Sequence, residues 1–302
     1  VILYANYQHL SITFFYNFAD LNQQVFMLTY EQAIIIRKSI RNYDKKQLSK
    51  EHLTKINQLI EKPCRGPFGN KPRYIFIEKP EARQQEKVKL GTYGFITHAA
   101  YFIGGCVEKF EFSEIDYGYS LERIIIELTR LDLGTCWIGG TFKRKDYETL
   151  LKTKKSETIP CITPVGYQAK KKSLRERLGL TLTDSSKRFE FKNIFFEGNL
   201  DSPMDYNENN LYHKCLELIR HAPSAVNKQP WRVIKQENKY HFYLLRDKRV
   251  GNTKNTDLQK VDLGIALAHF KLGTEENSLK GKWHLSNPEL CNLEYIISWI
   301  AD

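Results

Sequence analysis

The chain has 302 residues, 41% hydrophobic and 27% charged, enough to bury a sizeable core as one large or two small domains and too apolar for a disordered chain. Its formal net charge of +11 favours anionic partners, but there is no zinc-finger spacing or helix-turn-helix signature to support a nucleic-acid role. No apolar run is long enough to span a bilayer, and six scattered cysteines, without Cys-x-x-Cys or Cys/His metal spacing, predict reduced thiols in a cytoplasmic setting with no metal.

Residues 1–26 contain no Lys or Arg and lack the basic start of a secretory signal. Met27 directly precedes Leu28-Thr29-Tyr30-Glu31, a helix opening, so the functional region is expected to start there, with residues 1–26 an upstream extension. Next comes a basic cluster, Arg37-Lys38-Ser39-Ile40-Arg41. On a helix Arg37 and Arg41, four apart, share a face with Ser39 nearby, and two guanidiniums with a hydroxyl suit a phosphate. Ser49 and Glu51 open a helix carrying Leu53, Ile56, Leu59 and Ile60. A Pro/Gly loop over 63–72 leads to a strand at Tyr74–Ile77, and a second strand is expected at Ala99–Val107. Asp116-Tyr117-Gly118 opens a long apolar helix through Leu131, stopped by Gly134. Thr135–Ile138 and Ile159–Gly166 read as strands, with the turn Trp137-Ile138-Gly139-Gly140 after the first. Lys170–Asp205 is polar and basic and reads as a crossover.

The second part repeats the order helix, Pro-rich loop, strand. Leu211, Cys215, Leu218 and Ile219 mark the helix, Ala222–Trp231 the loop, and Arg232–Ile234 the strand. A hairpin follows across Glu237-Asn238-Lys239, then a shorter helix opened by Asp262-Leu263-Gly264 and stopped by Gly273, and a closing strand at Leu293–Trp299. These echoes predict an α+β fold of two related halves, over 27–180 and 206–302, joined by a linker over 181–205.

The loop Pro223-Ser224-Ala225-Val226-Asn227-Lys228-Gln229-Pro230-Trp231 carries the most specific chemistry. Pro223 and Pro230 fix two φ angles, Ser224 and Ala225 let a planar ligand approach the backbone, and Asn227 both donates and accepts. Together with Arg37-x-Ser39-x-Arg41 it resembles the FMN-dependent nitroreductase family, in its fused-repeat branch. The resemblance implies an internal pseudo-dimer with one FMN per chain, acting as a monomer. It implies hydride transfer from NAD(P)H through FMN to a small electron acceptor such as a nitroaromatic or quinone, with no membrane or nucleic-acid partner. Arg37, Lys38, Ser39 and Arg41 would hold the phosphate end. Pro223, Ser224, Ala225 and Asn227 would hold the ring, and Gly139 and Gly140 would line its reactive edge. Lys172 and Arg175 resemble a late basic segment near the phosphate, a solvated charge run being the competing reading. Tyr93-Gly94-Phe95 is a candidate substrate wall. No side chain is required as acid or base, and His98, His221 and His269 read as structural or as proton donors. A flavin-binding protein without turnover and a basic nucleic-acid-binding protein are the rival classes. Gly-x-Ser-x-Gly, Gly-x-x-x-x-Gly-Lys, Gly-x-Gly-x-x-Gly and His-Glu-x-x-His motifs are absent.

Overall fold

A computed structural model describes residues 27–78, 96–170, 187–248, 256–286 and 288–302. Helix α1 (Tyr30–Ile36) starts at a capping box, with Thr29 Oγ1 accepting from Gln32 N–H and the Gln32 side chain accepting from Thr29 N–H. Its buried Ala33 and Ile34 pack on Ile126, Leu218 and Leu272, so both parts of the chain hold it. Helix α2 (Lys50–Glu61) is capped by Ser49 and buries Ile56 and Ile60.

The first sheet contains β1 (Arg73–Glu78), β2 (Tyr101–Glu108), β3 (Gly134–Thr135), β4 (Glu157–Thr158) and β5 (Ile162–Gly166), in the order β1-β2-β5-β3 with β4 on β2. Helix α3 (Ser113–Arg130) connects β2 to β3, and α4 (Arg144–Leu151) connects β3 to β4. The second sheet contains β6 (Phe195–Glu197), β7 (Trp231–Gln236), β8 (Lys239–Leu244), β9 (Gly281–His284) and β10 (Glu294–Ala301), in the order β6-β7-β8-β10-β9. Helix α5 (Leu211–Arg220) precedes β7, and α6 (Leu258–Glu276) connects β8 to β9. The mixed architecture is α+β as expected, with one sheet in each half. Apart from β4 and β6, the two sheets have the same strand order, first hairpin, then last strand, then the strand after the long helix. The strand β6, inside the stretch read as a crossover, pairs parallel with β7 and joins the second sheet.

The halves meet through α3 and α6, whose apolar faces share one core cluster with Ile115, Leu121, Ile124, Val261, Ile265 and Phe270. Two glycines let the helices approach. A Cβ on Gly118 would lie 2.2 Å from the carbonyl oxygen of Val261, and one on Gly264 would lie 2.0 Å from that of Ile115. The same sequence offset relates Ile115 to Val261, Asp116 to Asp262 and Gly118 to Gly264, so the crossing has local two-fold character.

Both long helices differ from expectation at their two ends. The helix α3 ends at Arg130, with Asp132 at φ 56° (a conformation Asp tolerates), and Gly134 lies beyond it in β3. The second long helix is not the shorter one: α6 spans 19 residues and starts at the Asp257 cap, which accepts from Gln259 and Lys260 N–H. Gly273 lies inside it because a small residue is needed against Cys215 and Leu218. Asp116 and Asp262 do not open their helices but fasten the Pro-rich loops. Asp116 accepts from Phe68 N–H (3.0 Å) and Asn70 N–H (2.7 Å), and Asp262 from Ala225 N–H (3.0 Å).

Candidate functional site

The basic cluster is extended rather than helical. The helix α1 ends before Arg37, and Ser39 forms a parallel bridge to Thr135 while Ile40 N–H donates to Thr135 C=O. Extended backbone places alternate residues on one face, so Arg37, Ser39 and Arg41 come together through a period of two instead of a helical turn. All three act electrostatically on the Cys136 thiol. Burial pushes that thiol up, while Arg41, the Ser39 hydroxyl and Arg37 pull it back. Lys38 falls on the other face and is exposed.

The Arg37 side chain is only 5% exposed. Its Nε and Nη1 are buried without a hydrogen-bond partner. The Glu122 carboxylate on α3 lies beside it, with Oε1 3.9 Å from Nε, outside hydrogen-bond range. Glu122 Oε2 accepts from Trp137 Nε1 at 2.7 Å, and Oε1 lies 2.8 Å from His269 Nε2 on α6. His269 Nδ1 in turn lies 2.9 Å from the Leu218 carbonyl near the end of α5. This chain of contacts links the early cluster to the helix end that launches the 222–231 loop.

At that end His221 is pushed down to about 4, by burial first and then by His269, Arg188, Arg220 and Arg37. A histidine whose folded pKa lies below its unfolded value contributes stability that is present above about 6.5 and lost as pH falls towards about 4. The wild-type protein is therefore expected to lose roughly 1 kcal/mol across that window, the effect being reduced because a third of the ring is exposed. In His221→Gln, denaturant titrations at the two pH values should show most of that loss removed.

The loop is held by hydrogen bonds within itself and to Asp262, Lys187 and Arg188. Ser224 Oγ accepts from Gln229 N–H at 2.8 Å, and Ala225 N–H is taken by Asp262. Asn227 Nδ2 donates to Lys187 C=O at 2.8 Å and its Oδ1 accepts from Arg188 Nη1 at 3.2 Å. Pro223 is half-buried, and Trp231 is fully buried in the main core. Three non-glycine residues have positive φ: Val226 (45°), Asn227 (57°) and Gln229 (49°). For a β-branched residue this is costly, and such strain concentrates at functional loops. Val226 is 55% exposed and contributes little packing. Val226→Gly is expected to stabilise the protein by about 1 kcal/mol in a denaturant titration, since glycine adopts this conformation without the Cβ clash.

Gly139 approaches the first turn of α6: a Cβ there would lie 2.6 Å from Leu258 Cδ2. Its carbonyl accepts from Arg144 Nη2 at 3.1 Å. Gly140 is exposed, with open space around its Cβ position. The segment from Cys136 to Gly139 thus runs from the cation cluster to the start of α6, close to the loop held by Asp262. Lys172, Arg175 and Tyr93-Gly94-Phe95 lie outside the described residues.

Sequence reasoning missed Glu122 and Arg188, named Trp137 only as the start of the glycine turn, and left His269 as one isolated histidine among three. The available signal was an acid within the apolar run of α3, at Leu121-Glu122-Arg123-Ile124. Among the described residues no cluster of His, Cys, Asp and Glu could hold a metal ion. No described helix is long and apolar enough to cross a membrane.

A family model described as "Putative TM nitroreductase" matches residues 29–274. No curated protein matches the chain. Among solved structures, the chain is similar to a "putative nitroreductase" from Thermotoga maritima at 18% identity and a TM-score of 0.56, over 94% of this chain and 99% of that one. It also matches an FMN-dependent nitroreductase from Clostridium difficile at 21% identity and a TM-score of 0.41, over 54% of this chain and 96% of that one. A nitroreductase family protein from Clostridium novyi matches at 20% identity and a TM-score of 0.39, over 49% of this chain and 91% of that one.

Proposed function

Since the chain belongs to the nitroreductase family whose model spans residues 29–274, we propose that it is an FMN-dependent oxidoreductase with one flavin per chain. Bound FMN would supply the redox chemistry, taking hydride from NADH or NADPH and passing it to a small conjugated acceptor such as a nitroaromatic or quinone. The observation that carries the reading is Arg37. A guanidinium whose side chain is 5% exposed, with Nε and Nη1 unbonded, pays a desolvation cost that a phosphate would offset. Ser39 and Arg41 on the same face complete an anion cradle.

The other residues shape and position. The 222–231 loop has its Ser224, Asn227 and Gln229 side chains held by hydrogen bonds within the loop and to Lys187, Arg188 and Phe189, which gives a stiff wall for a flat ring rather than a set of adaptable donors. Pro223, Ser224, Ala225 and Asn227 act there by holding the wall's shape. Gly139 brings backbone close to the start of α6, and Gly140 keeps the neighbouring edge open. Lys172 and Arg175 are further phosphate candidates. One cation cluster and one intact loop per chain favour a single site in a fused pseudo-dimer that works as a monomer. The two-fold relation at the α3–α6 crossing supports a tandem repeat, and six free cysteines support a cytoplasmic setting.

The test is the absorption spectrum of the protein after mixing with FMN and removing the excess, followed by anaerobic addition of NADH or NADPH. One flavin per chain, bleached by the nucleotide, is expected. A colourless protein would overturn the reading, and bound flavin that stays oxidised would identify a flavin-binding protein without turnover.

A further inference from the structure

The offset that relates Ile115 to Val261 also relates Ile126 to Leu272 and Arg123 to His269. Helix α1 packs on both Ile126 and Leu272, so it lies across the local two-fold rather than to one side of it. Its C-cap, Arg37, acts on His221, the C-cap of α5, and lies beside Glu122. The counterpart of that place is bounded by Lys62, the C-cap of α2, and by Arg123. The described residues leave it open as a cavity of about 150 Å³.

Leu59, Ile124 and Leu272 give the cavity apolar walls, and the Cys64 thiol and Ser120 hydroxyl are polar groups among them. Ser120 is fully buried, and its Oγ has no hydrogen-bond partner. The hydroxyl favours the ionised forms of the Cys64 thiol and the Tyr74 phenol, so it lies near both, yet neither stands at hydrogen-bond geometry to it. A buried hydroxyl left in this way costs free energy that a bound polar group would offset. The charged lining groups make no such demand. Arg123 Nη2 lies 2.9 Å from Glu275 Oε2. Glu127 accepts from Arg130 Nη1 at 3.1 Å and from the Tyr30 hydroxyl at 2.9 Å. Lys62 is exposed, so water solvates its charge.

We propose that this cavity is a binding site for a small neutral aromatic molecule carrying one hydroxyl group, a ligand of the phenol class. The ring would lie against Leu59, Ile124 and Leu272, and the ligand hydroxyl would bond to Ser120 Oγ. Each part of the assignment follows from the lining. A cavity of this volume accepts one six-membered ring and is too small for a flavin. Apolar walls reward burial of the ring, and the thiol sulfur is a polarisable neighbour for it. One unbonded hydroxyl asks for one group that can donate or accept. Charges that are already paired or solvated give an ionised ligand no return for its own desolvation. The site is separate from the Arg37 cradle and does not depend on the flavin reading.

Phenol is the probe, and Cys64 reports on the cavity because it lines it. The full chain would be alkylated with iodoacetamide at about pH 8.5, where thiols react, and each cysteine followed by mass spectrometry. Cys291 is also half-buried but lies in the second half, so it is the internal reference. Phenol at about 10 mM is expected to slow alkylation of Cys64 at least about fivefold, as for a Kd on the order of 1 mM, and to leave Cys291 unchanged. Calorimetric titration with phenol reads the same constant without the thiol. Ser120→Ala removes no hydrogen bond, so the variant should fold, which circular dichroism verifies. It should weaken phenol binding at least about threefold. Benzene, which has no hydroxyl, should bind the two proteins equally. FMN should leave the Cys64 rate unchanged. No phenol binding and an unprotected Cys64 would overturn the proposal and leave the cavity to water alone. Equal slowing of Cys64 and Cys291, or a phenol affinity indifferent to Ser120→Ala, would also overturn it. Protection of Cys64 by FMN would do the same, by making the cavity part of a flavin site.

Discussion

Arg37→Ala is expected to weaken FMN binding by roughly 3 kcal/mol, about a hundredfold, while changing the stability of the flavin-free protein by no more than about 1 kcal/mol. The two effects separate because of what Arg37 does without ligand. Its Nε and Nη1 have no hydrogen-bond partner, and Glu122 is 3.9 Å away. Removing the side chain therefore forfeits little bonding and relieves a desolvation cost, which offsets the loss of a cation near Glu122. With an anion bound, the same donors make charge-assisted bonds in a site shielded from water, where they are worth most. Flavin fluorescence titration and thermal melting of the apoprotein measure the two quantities. Lys38→Ala is the matched control: Lys38 is exposed on the opposite face, and its loss should leave affinity within about twofold at moderate salt. An Arg37→Ala protein that bound FMN as tightly as wild type would end the case for this anchor.

Gly264→Ala is expected to cost about 3 kcal/mol, with Gly118→Ala close behind. The new methyl group at residue 264 would lie 2.0 Å from the Ile115 carbonyl oxygen, and the one at residue 118 would lie 2.2 Å from that of Val261. Both obstacles are backbone atoms of the facing helix, so no rotamer change relieves them and the helices must separate. Helix propensity would favour Ala by up to about 1 kcal/mol, which makes destabilisation diagnostic of the crossing. Separation also pulls Glu122 from His269, since these lie on the same two helices. A fall in melting temperature of roughly 6–12 °C is expected for either variant, using the scale for large domains. Because both substitutions open the same gap, the double variant should fall short of the sum. Gly69→Ala provides a contrast, with nothing within 4 Å of its Cβ position but a φ of 89°. Its cost is one of backbone strain alone and should be near 1 kcal/mol.

Much of the fold was legible locally. Thr29 and Ser49 stand at the helix starts they signal, and the hairpin turns between Gln236 and Lys239 as its polar residues suggest. The periodic apolar runs of α3 and α5 became helices, and the closing strand is β10. The cluster around Arg37 was recognisable by residue type but assigned the wrong backbone. A spacing of four suits both a helix and an extended segment, and the Thr135 pairing that decides between them lies almost a hundred residues away in sequence. The glycines of Asp116-Tyr117-Gly118 and Asp262-Leu263-Gly264 were noticed as an echo, yet their physical meaning is contact between helices.

Residue order by itself determined the two-part α+β plan, the cation cluster and the proline-framed loop, because helix caps, apolar periodicity and fixed φ angles act between near neighbours. Only the tertiary structure decided that Glu122 meets His269, 147 positions apart, beside an Arg37 left without hydrogen-bond partners at Nε and Nη1. Such a meeting depends on how closely two helices pass. That distance is set by a missing methyl group on each, and no pattern along a single strand of sequence encodes it.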